Sequence, residues 1–302
     1  MKAPRDHLVR GLLRGPGVRV LAAFATAASR KARDSHGCAP TSAALLAQGL
    51  SAGALLASAL EKEAARVNLQ LECDGPARGL FVDAGTDGSL RGYVKNPSVF
   101  FGSAPGEPLA PERALGRKGY ISVLRDFGGG EIYRGLVELE AYELGRDLER
   151  YFRVSEQVET AVGLSVLADG EEPLGAVAGV LVQRLPDGDE TAVERARKAL
   201  RSGALDAALR EGRTGSALFD QLDLGDGPLE LLSDQPLEFR CRCSREKAVQ
   251  AVLAMGLEEM RSLFAEVGEA KIACEFCGAR YHVPGPELLA LIRQVDEQAD
   301  GR

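Results

Sequence analysis

The spacing of hydrophobic and polar positions changes along the chain, and each change predicts a different element. Apolar and polar side chains alternate from Val67 to Leu71, which predicts a half-buried strand, and the turn residues Thr86-Asp87-Gly88 come soon after it. The Ala- and Leu-rich stretch from Thr41 to Arg66 has no proline and predicts a helix, broken near Gly49. Gly49 and Gly53 are small enough to let this helix pack closely on a neighbour.

Further short strands are separated by Gly-rich turns, and helical spacing appears among them. The predicted strands are Leu80 to Asp83, Tyr120 to Arg125, Ile132 to Val137, Gly163 to Ala168 and Val177 to Gln183, and the predicted helix is Glu140 to Arg153. The helices do not alternate regularly with the strands, so a doubly wound parallel fold is disfavoured. We expect an α+β fold with a mixed α/β core domain over residues 1–186.

The composition changes after residue 186. Residues 187–237 are rich in charge, with Asp and Glu in excess, and short helices are predicted at Glu190 to Arg201 and Ala204 to Arg210. Helices this short are marginal in isolation, so their apolar faces must lie on a larger unit. We expect a charged helical linker that packs on the core domain and is only modestly stable.

Residues 238–302 are expected to form a small third domain. Ser244 is a candidate N-cap for a helix from Arg245 to Met255, which ends at Gly256, and a second helix follows from Leu257 to Val267. The apolar residues of both helices fall at helical spacing, which is most simply explained by a small hydrophobic core.

Four of the six cysteines lie in two tight pairs within this last domain. Cys241 and Cys243 form a CxC pair, Cys274 and Cys277 form a CxxC pair, and residues 244–273 separate the two pairs. Two ligands this close can chelate from one turn, and thiolates suit tetrahedral zinc with Zn–S bonds of ~2.3 Å. The spacing therefore predicts one Zn²⁺ per chain, held by these four cysteines.

The other reactive residue types form no recognisable site. Cys38 and Cys73 stand alone and are expected to behave as small buried hydrophobes. The three histidines, His7, His36 and His282, are scattered, and four thiolates already fill a tetrahedral metal site without His282. No catalytic triad and no carboxylate pair stands out, so the sequence predicts no enzyme activity.

Charge and hydropathy restrict the partners and the compartment. The net charge is −7, which opposes nucleic-acid binding, and no apolar run reaches the ~18 residues of a membrane span. The stretch Val18 to Ala28 is too short for a clear signal peptide and is interpreted as a structural segment. We therefore expect a cytoplasmic protein, in which clustered cysteines are metal ligands or redox sensors rather than structural disulfides.

The predicted zinc site has the chemistry of a redox switch. A domain of about 60 residues has a small core, and zinc binding can contribute roughly 10–16 kcal/mol to the folding of such a module. Oxidants react with thiolates, the form in which zinc holds cysteines. A disulfide within either pair would tie near neighbours, whereas zinc ties both ends of the domain. Oxidation is therefore expected to loosen the domain.

Several stretches are similar to the pattern of a known family. The most specific are Phe239-Arg-Cys241-Arg-Cys243-Ser244-Arg245 and Cys274-Glu-Phe-Cys277-Gly278 with Tyr281; the others are Arg91-Gly-Tyr-Val94 with Asn96-Pro97, Tyr151-Phe152 before Ser155-Glu-Gln157 and Thr160, and Gly179 to Gln183 with Leu185-Pro186. On these residues the chain resembles the heat-shock protein 33 family, the bacterial 33-kDa chaperonins, over nearly its whole length. Glu159, Ala178 and Cys73 depart from the family pattern, all three in the core domain.

The resemblance implies a redox-regulated, ATP-independent holdase of the heat-shock and oxidative-stress response. In such a protein the reduced, zinc-bound form is inactive. Oxidation forms the disulfides Cys241–Cys243 and Cys274–Cys277, zinc leaves, and the C-terminal domain and linker unfold. The active form, associated with homodimers, then protects unfolding or oxidatively damaged proteins from aggregation. The implied partners include no nucleic acid and no membrane.

Two other function classes remain open on the residues alone. A thiol–disulfide oxidoreductase would use Cys274 and Cys277, but such enzymes place CxxC after a strand at a helix N-terminus, a context missing here. Insulin reduction with catalytic turnover would favour it. A zinc-ribbon module that binds nucleic acid or protein is opposed by the acidic charge, and salt-sensitive retention on DNA would favour it.

Overall fold

A computed structural model describes residues 5–60, 62, 64–101 and 109–300, with side chains described up to residue 296. The chain divides into two compact units, Met1–Arg240 and Cys241–Arg302. The three-part division at residues 186/187 and 237/238 stays a prediction. Residues 1–4 and 301–302 of the predicted end domains lie outside the described residues, as do residues 61 and 63 of the predicted helix Thr41 to Arg66.

The elements of the first unit alternate strands and helices irregularly, so the predicted α+β fold is confirmed. In chain order they are β1 His7–Leu13, β2 Val18–Phe24, α1 Thr26–His36, α2 Pro40–Ser58, β3 Arg66–Cys73, β4 Gly79–Gly85, β5 Ser89–Val94, β6 Gly119–Asp126, β7 Ile132–Glu138, α3 Leu144–Tyr151, β8 Thr160–Asp169, β9 Glu172–Arg184, α4 Glu190–Arg201, α5 Ala204–Arg210, β10 Leu229–Pro236 and β11 Glu238–Phe239. Short 3₁₀ turns lie at Pro111–Ala114 and Gly215–Gln221, and a π-helical turn lies at Phe152–Glu156.

Helix α2 contacts strands of both sheets of the first unit. These sheets have the strand orders β10-β1-β2-β9-β8 and β11-β5-β4-β3-β6-β7, and their pairings are antiparallel except β11 with β5. A Cβ atom on Gly53 would lie 2.6 Å from Val82 Cγ1 on β4, and one on Gly49 would lie 3.0 Å from Leu80 Cδ2. The expected close packing at these glycines is therefore confirmed. The predicted break near Gly49 is wrong, because the helix continues to Ser58.

The apolar character of α2 is explained by its burial. Pro40–Ser58 has 19 residues and is long and apolar enough to cross a membrane, but 94% of its apolar window lies inside the protein. The helix carries no acidic residue in its first turn and no basic residue in its last turn. Because α2 contacts strands of both sheets, its buried apolar surface joins the two sheets in one core.

The charged segment after β9 packs on one face of the five-stranded sheet. The predicted helices Glu190 to Arg201 and Ala204 to Arg210 are confirmed as α4 and α5. The segment contributes the following buried residues to one cluster with the strand residues below it: Ala192, Val193, Ala196, Leu205, Ala208, Leu209, Leu218, Phe219, Leu222 and Leu224. Strand β10, which the sequence did not predict, pairs with β1 at the edge of this sheet.

The second unit is built around a small core. Its elements are α6 Arg245–Ala254, α7 Leu257–Glu266, β12 Ala270–Ala273, β13 Arg280–Val283 and α8 Gly285–Asp300, and its buried cluster consists of Val252, Met260, Ala270, Val283, Leu288 and Ile292. The Ser244 hydroxyl accepts a hydrogen bond from Lys247 N at 3.3 Å, so the predicted N-cap of α6 is confirmed. The hairpin β12–β13 and helix α8 were not predicted.

Candidate metal centre

The CxxC pair lies in the loop of the β12–β13 hairpin. Cys274 N donates to Ala279 O at 2.8 Å, and Gly278 N donates to Cys274 O at 2.8 Å, so the loop closes on itself. Gly278 has φ +69°, in the left-handed region that a residue without Cβ adopts most readily. The backbone therefore fixes Cys274 and Cys277 on one tight turn.

The CxC pair lies in the extended stretch just before α6. Cys241 and Cys243 are half-buried. The intervening residue is tied to the helix, because Lys247 Nζ donates to Arg242 O at 2.7 Å. Together with the Ser244 cap, this contact anchors the CxC stretch to the first turn of α6. Both cysteine pairs are thus carried by ordered backbone within the second unit.

The four sulfurs converge. All four Sγ atoms lie within 4.8 Å of one another. Two sulfur–sulfur contacts join the pairs to each other, Cys241 with Cys274 at 3.6 Å and Cys243 with Cys277 at 3.4 Å, and the Cys241 sulfur also contacts those of Cys243 and Cys277. A tetrahedral metal with metal–sulfur bonds of ~2.3 Å spaces its ligands about 3.8 Å apart. The arrangement and the soft thiolate donors therefore fit a zinc-type ion, and no other His, Cys, Asp or Glu group in the described ranges meets the same criterion.

The pKa values of these thiols differ from one another. Burial opposes ionisation of Cys241, but the N–H of Cys243 and the neighbouring thiols donate to its sulfur, and its pKa falls to about 7. Burial raises the pKa of Cys274, and burial together with the adjacent sulfurs raises the pKa of Cys277 to about 12. Thiolates this close repel one another, so the four can ionise together only beside a cation.

One further side chain contacts a sulfur. The Tyr281 hydroxyl on β13 donates to Cys243 Sγ at 3.0 Å, and this hydrogen bond raises the pKa of the phenol to about 12. Sequence reasoning included Tyr281 only as part of the family pattern. A tyrosine four residues beyond a CxxC pair is a sequence signal for a hydroxyl that contacts one of the cysteines. Which cysteine it contacts depends on the hairpin register, in which Tyr281 lies opposite Ile272.

The other candidate residues lie away from the four sulfurs. His282 Nε2 is 2.7 Å from Glu269 Oε2, so its ring has a carboxylate partner. Cys38 is buried and Cys73 is half-buried, both in the first unit. Burial raises the pKa of the Cys38 thiol to about 11 and also raises that of Cys73. Both thiols are therefore poor nucleophiles at neutral pH.

Comparison with known proteins places these features in one family. The family model described as Hsp33 protein matches residues 6–284. A 33 kDa chaperonin of Thermoanaerobacter sp. (strain X514) is 34% identical over 294 residues, covering 97% of this chain and 100% of the relative. The 33 kDa chaperonin of Geobacter sulfurreducens is 36% identical over 284 residues, covering 94% of this chain and 93% of the relative.

A solved structure has a similar fold. It is the crystal structure of a 33 kDa chaperonin, a heat shock protein 33 homologue, from Thermotoga maritima. The TM-score is 0.84 at 26% sequence identity, and the match covers 97% of this chain and 100% of that one. The likeness therefore extends over both units.

Proposed function

The chain belongs to the Hsp33 family of chaperones, with a C-terminal cysteine cluster, and we propose that it is a redox-regulated, ATP-independent holdase. The relatives are named chaperonins rather than enzymes. We propose that the reduced, metal-bound protein is inactive and that oxidation activates it. The observation that carries this proposal is the convergence of four cysteine sulfurs in a unit with a small core.

We propose that Cys241, Cys243, Cys274 and Cys277 hold one Zn²⁺ in the reduced protein. When bound, zinc stabilises all four sulfurs as thiolates and ties the CxC stretch to the CxxC loop. The buried apolar cluster described for this unit has only six members, and domains of about 60 residues usually need a metal or a disulfide to fold. A structural zinc contributes roughly 10–16 kcal/mol, which exceeds the stability of most small domains. The fold of the second unit is therefore expected to depend on these four ligands.

The pairing of the cysteines decides whether oxidation acts as a switch. Disulfides Cys241–Cys243 and Cys274–Cys277 consume all four ligands and join only near neighbours, so the CxC stretch is no longer tied to the CxxC loop. Disulfides between the pairs, at the 3.6 Å and 3.4 Å contacts, would keep that connection. We propose the local pairing, because it alone converts a two-electron oxidation at each pair into loss of structure.

Release of the charged segment would supply a binding surface. Helices α4 and α5 cover an apolar face of the five-stranded sheet, whose buried residues include Val9, Val18, Val20, Val180 and Val182. Uncovered, these side chains would form a contiguous apolar patch of the kind that binds other proteins. We infer that activation displaces this segment, and that the uncovered sheet face contacts unfolded or oxidatively damaged clients.

We propose further that the active form is a homodimer that works in the cytoplasm during heat and oxidative stress. The net charge of −7 gives neither nucleic acid nor an anionic membrane surface an electrostatic reason to bind. In this proposal the protein acts by binding rather than by catalysis. Turnover of insulin disulfides at catalytic amounts of protein would argue for an oxidoreductase instead.

The test compares reduced and peroxide-treated full-length protein under mild heat. Zinc content, far-UV circular dichroism and suppression of citrate synthase aggregation are measured on the same samples. We expect oxidation to release one zinc per chain, to reduce helicity and to give protection at stoichiometric amounts. Cys274→Ser is the control, because it lacks one ligand and cannot form the CxxC disulfide. Oxidised, zinc-free protein that gives no protection would contradict the proposal.

A further inference from the structure

We propose that Tyr281 is a positioning residue that sets how readily Cys243 is oxidised. Its hydroxyl donates to Cys243 Sγ at 3.0 Å, and among the described residues it has no other hydrogen-bond partner. The inference rests on the proposed redox function and deepens it, because it names a residue that regulates the cysteine centre without being a ligand.

The position of the Tyr281 side chain is determined by the hairpin rather than by the sulfur. Tyr281 pairs with Ile272 in the β12–β13 ladder, one residue pair from Ala273 and Arg280, which flank the CxxC loop. The ring is half-buried. The hydroxyl is therefore held near Cys243 by the same backbone that carries Cys274 and Cys277.

The Cys243 sulfur accepts a hydrogen bond from a side-chain donor, the Tyr281 hydroxyl. Backbone N–H groups donate to the sulfurs of Cys241, Cys274 and Cys277. A side-chain substitution leaves those backbone donors in place, whereas Tyr281→Phe removes the hydroxyl that donates to Cys243 Sγ and keeps the ring. A hydrogen bond to a thiolate draws electron density from the sulfur and lowers its reactivity, in the way that contacts outside the ligand set tune a metal centre.

The reaction affected is the attack of the sulfur on a hydroperoxide. The Cys243 thiolate attacks one peroxide oxygen, the O–O bond breaks, a sulfenic acid forms on the sulfur, and hydroxide leaves. The thiol of a second cysteine then displaces the sulfenic oxygen as water, and the disulfide forms. Two electrons pass from the two sulfurs to the peroxide. The Tyr281 hydroxyl slows the first step by stabilising the sulfur before attack.

The experiment compares full-length wild type, Tyr281→Phe and His282→Gln. We expect hydrogen peroxide to form sulfenic acid at Cys243, trapped with dimedone and located by mass spectrometry, about five- to tenfold faster in Tyr281→Phe, and zinc affinity to fall about tenfold. His282 is the matched control on the same strand, because its side chain contacts Glu269 rather than a cysteine. Its variant should react at the wild-type rate.

A spectroscopic readout separates this role from a merely structural one. In protein loaded with Co²⁺, removal of a hydrogen bond to one thiolate raises the energy of that sulfur lone pair and moves the sulfur-to-cobalt charge-transfer band to longer wavelength. We expect this shift in Tyr281→Phe and not in His282→Gln. If Tyr281→Phe binds Co²⁺ too weakly, ¹¹³Cd²⁺, which thiolates bind more tightly, supplies a chemical shift in its place.

The role of Tyr281 would be overturned if the charge-transfer band and the ¹¹³Cd chemical shift of Tyr281→Phe equalled those of wild type. Oxidation of Tyr281→Phe at the wild-type rate would overturn it as well. Failure of the proposed function gives a different result. If wild-type protein keeps its zinc and its helicity after peroxide treatment, the switch is refuted, while a shifted cobalt band in Tyr281→Phe still supports the hydrogen bond to Cys243.

Discussion

Substitution of Arg197 on α4 by alanine should loosen the segment that covers the five-stranded sheet. The side chain of Arg197 is only 16% exposed. Its guanidinium lies 3.4 Å from Glu149 Oε2 and 3.1 Å from Glu159 Oε2, and it donates to Thr160 O at 3.1 Å. These contacts join α4 to α3 and to the start of β8. Glu159 is also a position at which the chain departs from the family pattern.

The expected change in the free energy of opening α4 depends on which hydrogen bonds Glu149 and Glu159 retain in Arg197→Ala. Glu149 is 11% exposed, and it retains the N–H of Val162 at 3.0 Å and Arg201 at 3.3 Å, so its carboxylate is not left alone. Glu159 is 34% exposed and regains water. A hydrogen bond to a charged group contributes about 1.5–3 kcal/mol, and we expect opening of α4 to become easier by about 2 kcal/mol. This corresponds to roughly a 30-fold larger open population.

Hydrogen exchange on the reduced, zinc-loaded protein measures this opening. Peptides from α4 should exchange about 30-fold faster in Arg197→Ala, and peroxide should activate the variant at a lower dose. Arg213→Ala is the matched control in the same segment, since Arg213 pairs with Glu211 at an exposed site and such pairs contribute little. Unchanged exchange of α4 in Arg197→Ala would refute the reasoning that these ion pairs hold the segment down.

Two further predictions concern the thiols. Zinc affinity, measured by competition with a chelator, should rise between about pH 6 and 9. Bound zinc needs thiolates, whereas Cys241 has a pKa of about 7 and Cys277 has a pKa of about 12. A flat profile would show that the ligands need not lose protons. Iodoacetamide at neutral pH should label Cys241 in reduced, metal-free protein and leave Cys38 unlabelled, because Cys38 is 9% exposed and its pKa is raised to about 11. Peptide mass mapping checks this, and equal labelling would contradict the assigned burial.

Local patterns predicted the elements whose side chains follow a simple period. The alternation from Val67 to Leu71 lies within β3, and the helices predicted at Glu190 to Arg201 and Ala204 to Arg210 have the bounds of α4 and α5. The helix predicted from Thr41 to Arg66 ran too far, since α2 ends at Ser58. Ala59 and Leu60 continue the apolar composition, so the pattern gave no sign of the end.

Elements that depend on distant partners were missed. Helix α1 has few buried residues, and its first N–H groups are bound from outside: the Asp6 carboxylate accepts from Ala27 N at 2.9 Å and Ala28 N at 2.6 Å. Strand β10 exposes Leu231 and Leu232, so it is stabilised by its antiparallel hydrogen bonds to β1 rather than by burial of these side chains. No local period indicates such a pairing, because the partners lie far apart in the sequence.

The convergence of the four cysteines could be predicted from their spacing in the sequence. The CxC and CxxC pairs indicated four convergent sulfurs, and the four sulfurs do lie within 4.8 Å of one another. The contact of Tyr281 with Cys243 was not accessible, because it requires the hairpin register and the meeting of residues from two ends of the unit. Spacing thus predicts the cysteine group, and only the fold supplies its surroundings.

Oxidation is proposed to form one disulfide within each cysteine pair, so that the CxC stretch is no longer connected to the CxxC loop and the second unit loses structure. Disulfide mapping by mass spectrometry, on peroxide-treated protein whose zinc release and chaperone activity are recorded on the same samples, tests it most directly. We predict Cys241–Cys243 and Cys274–Cys277, loss of one zinc per chain, and protection of the client. Protection by protein that carries Cys241–Cys274 or Cys243–Cys277, or that still holds its zinc, would contradict the account.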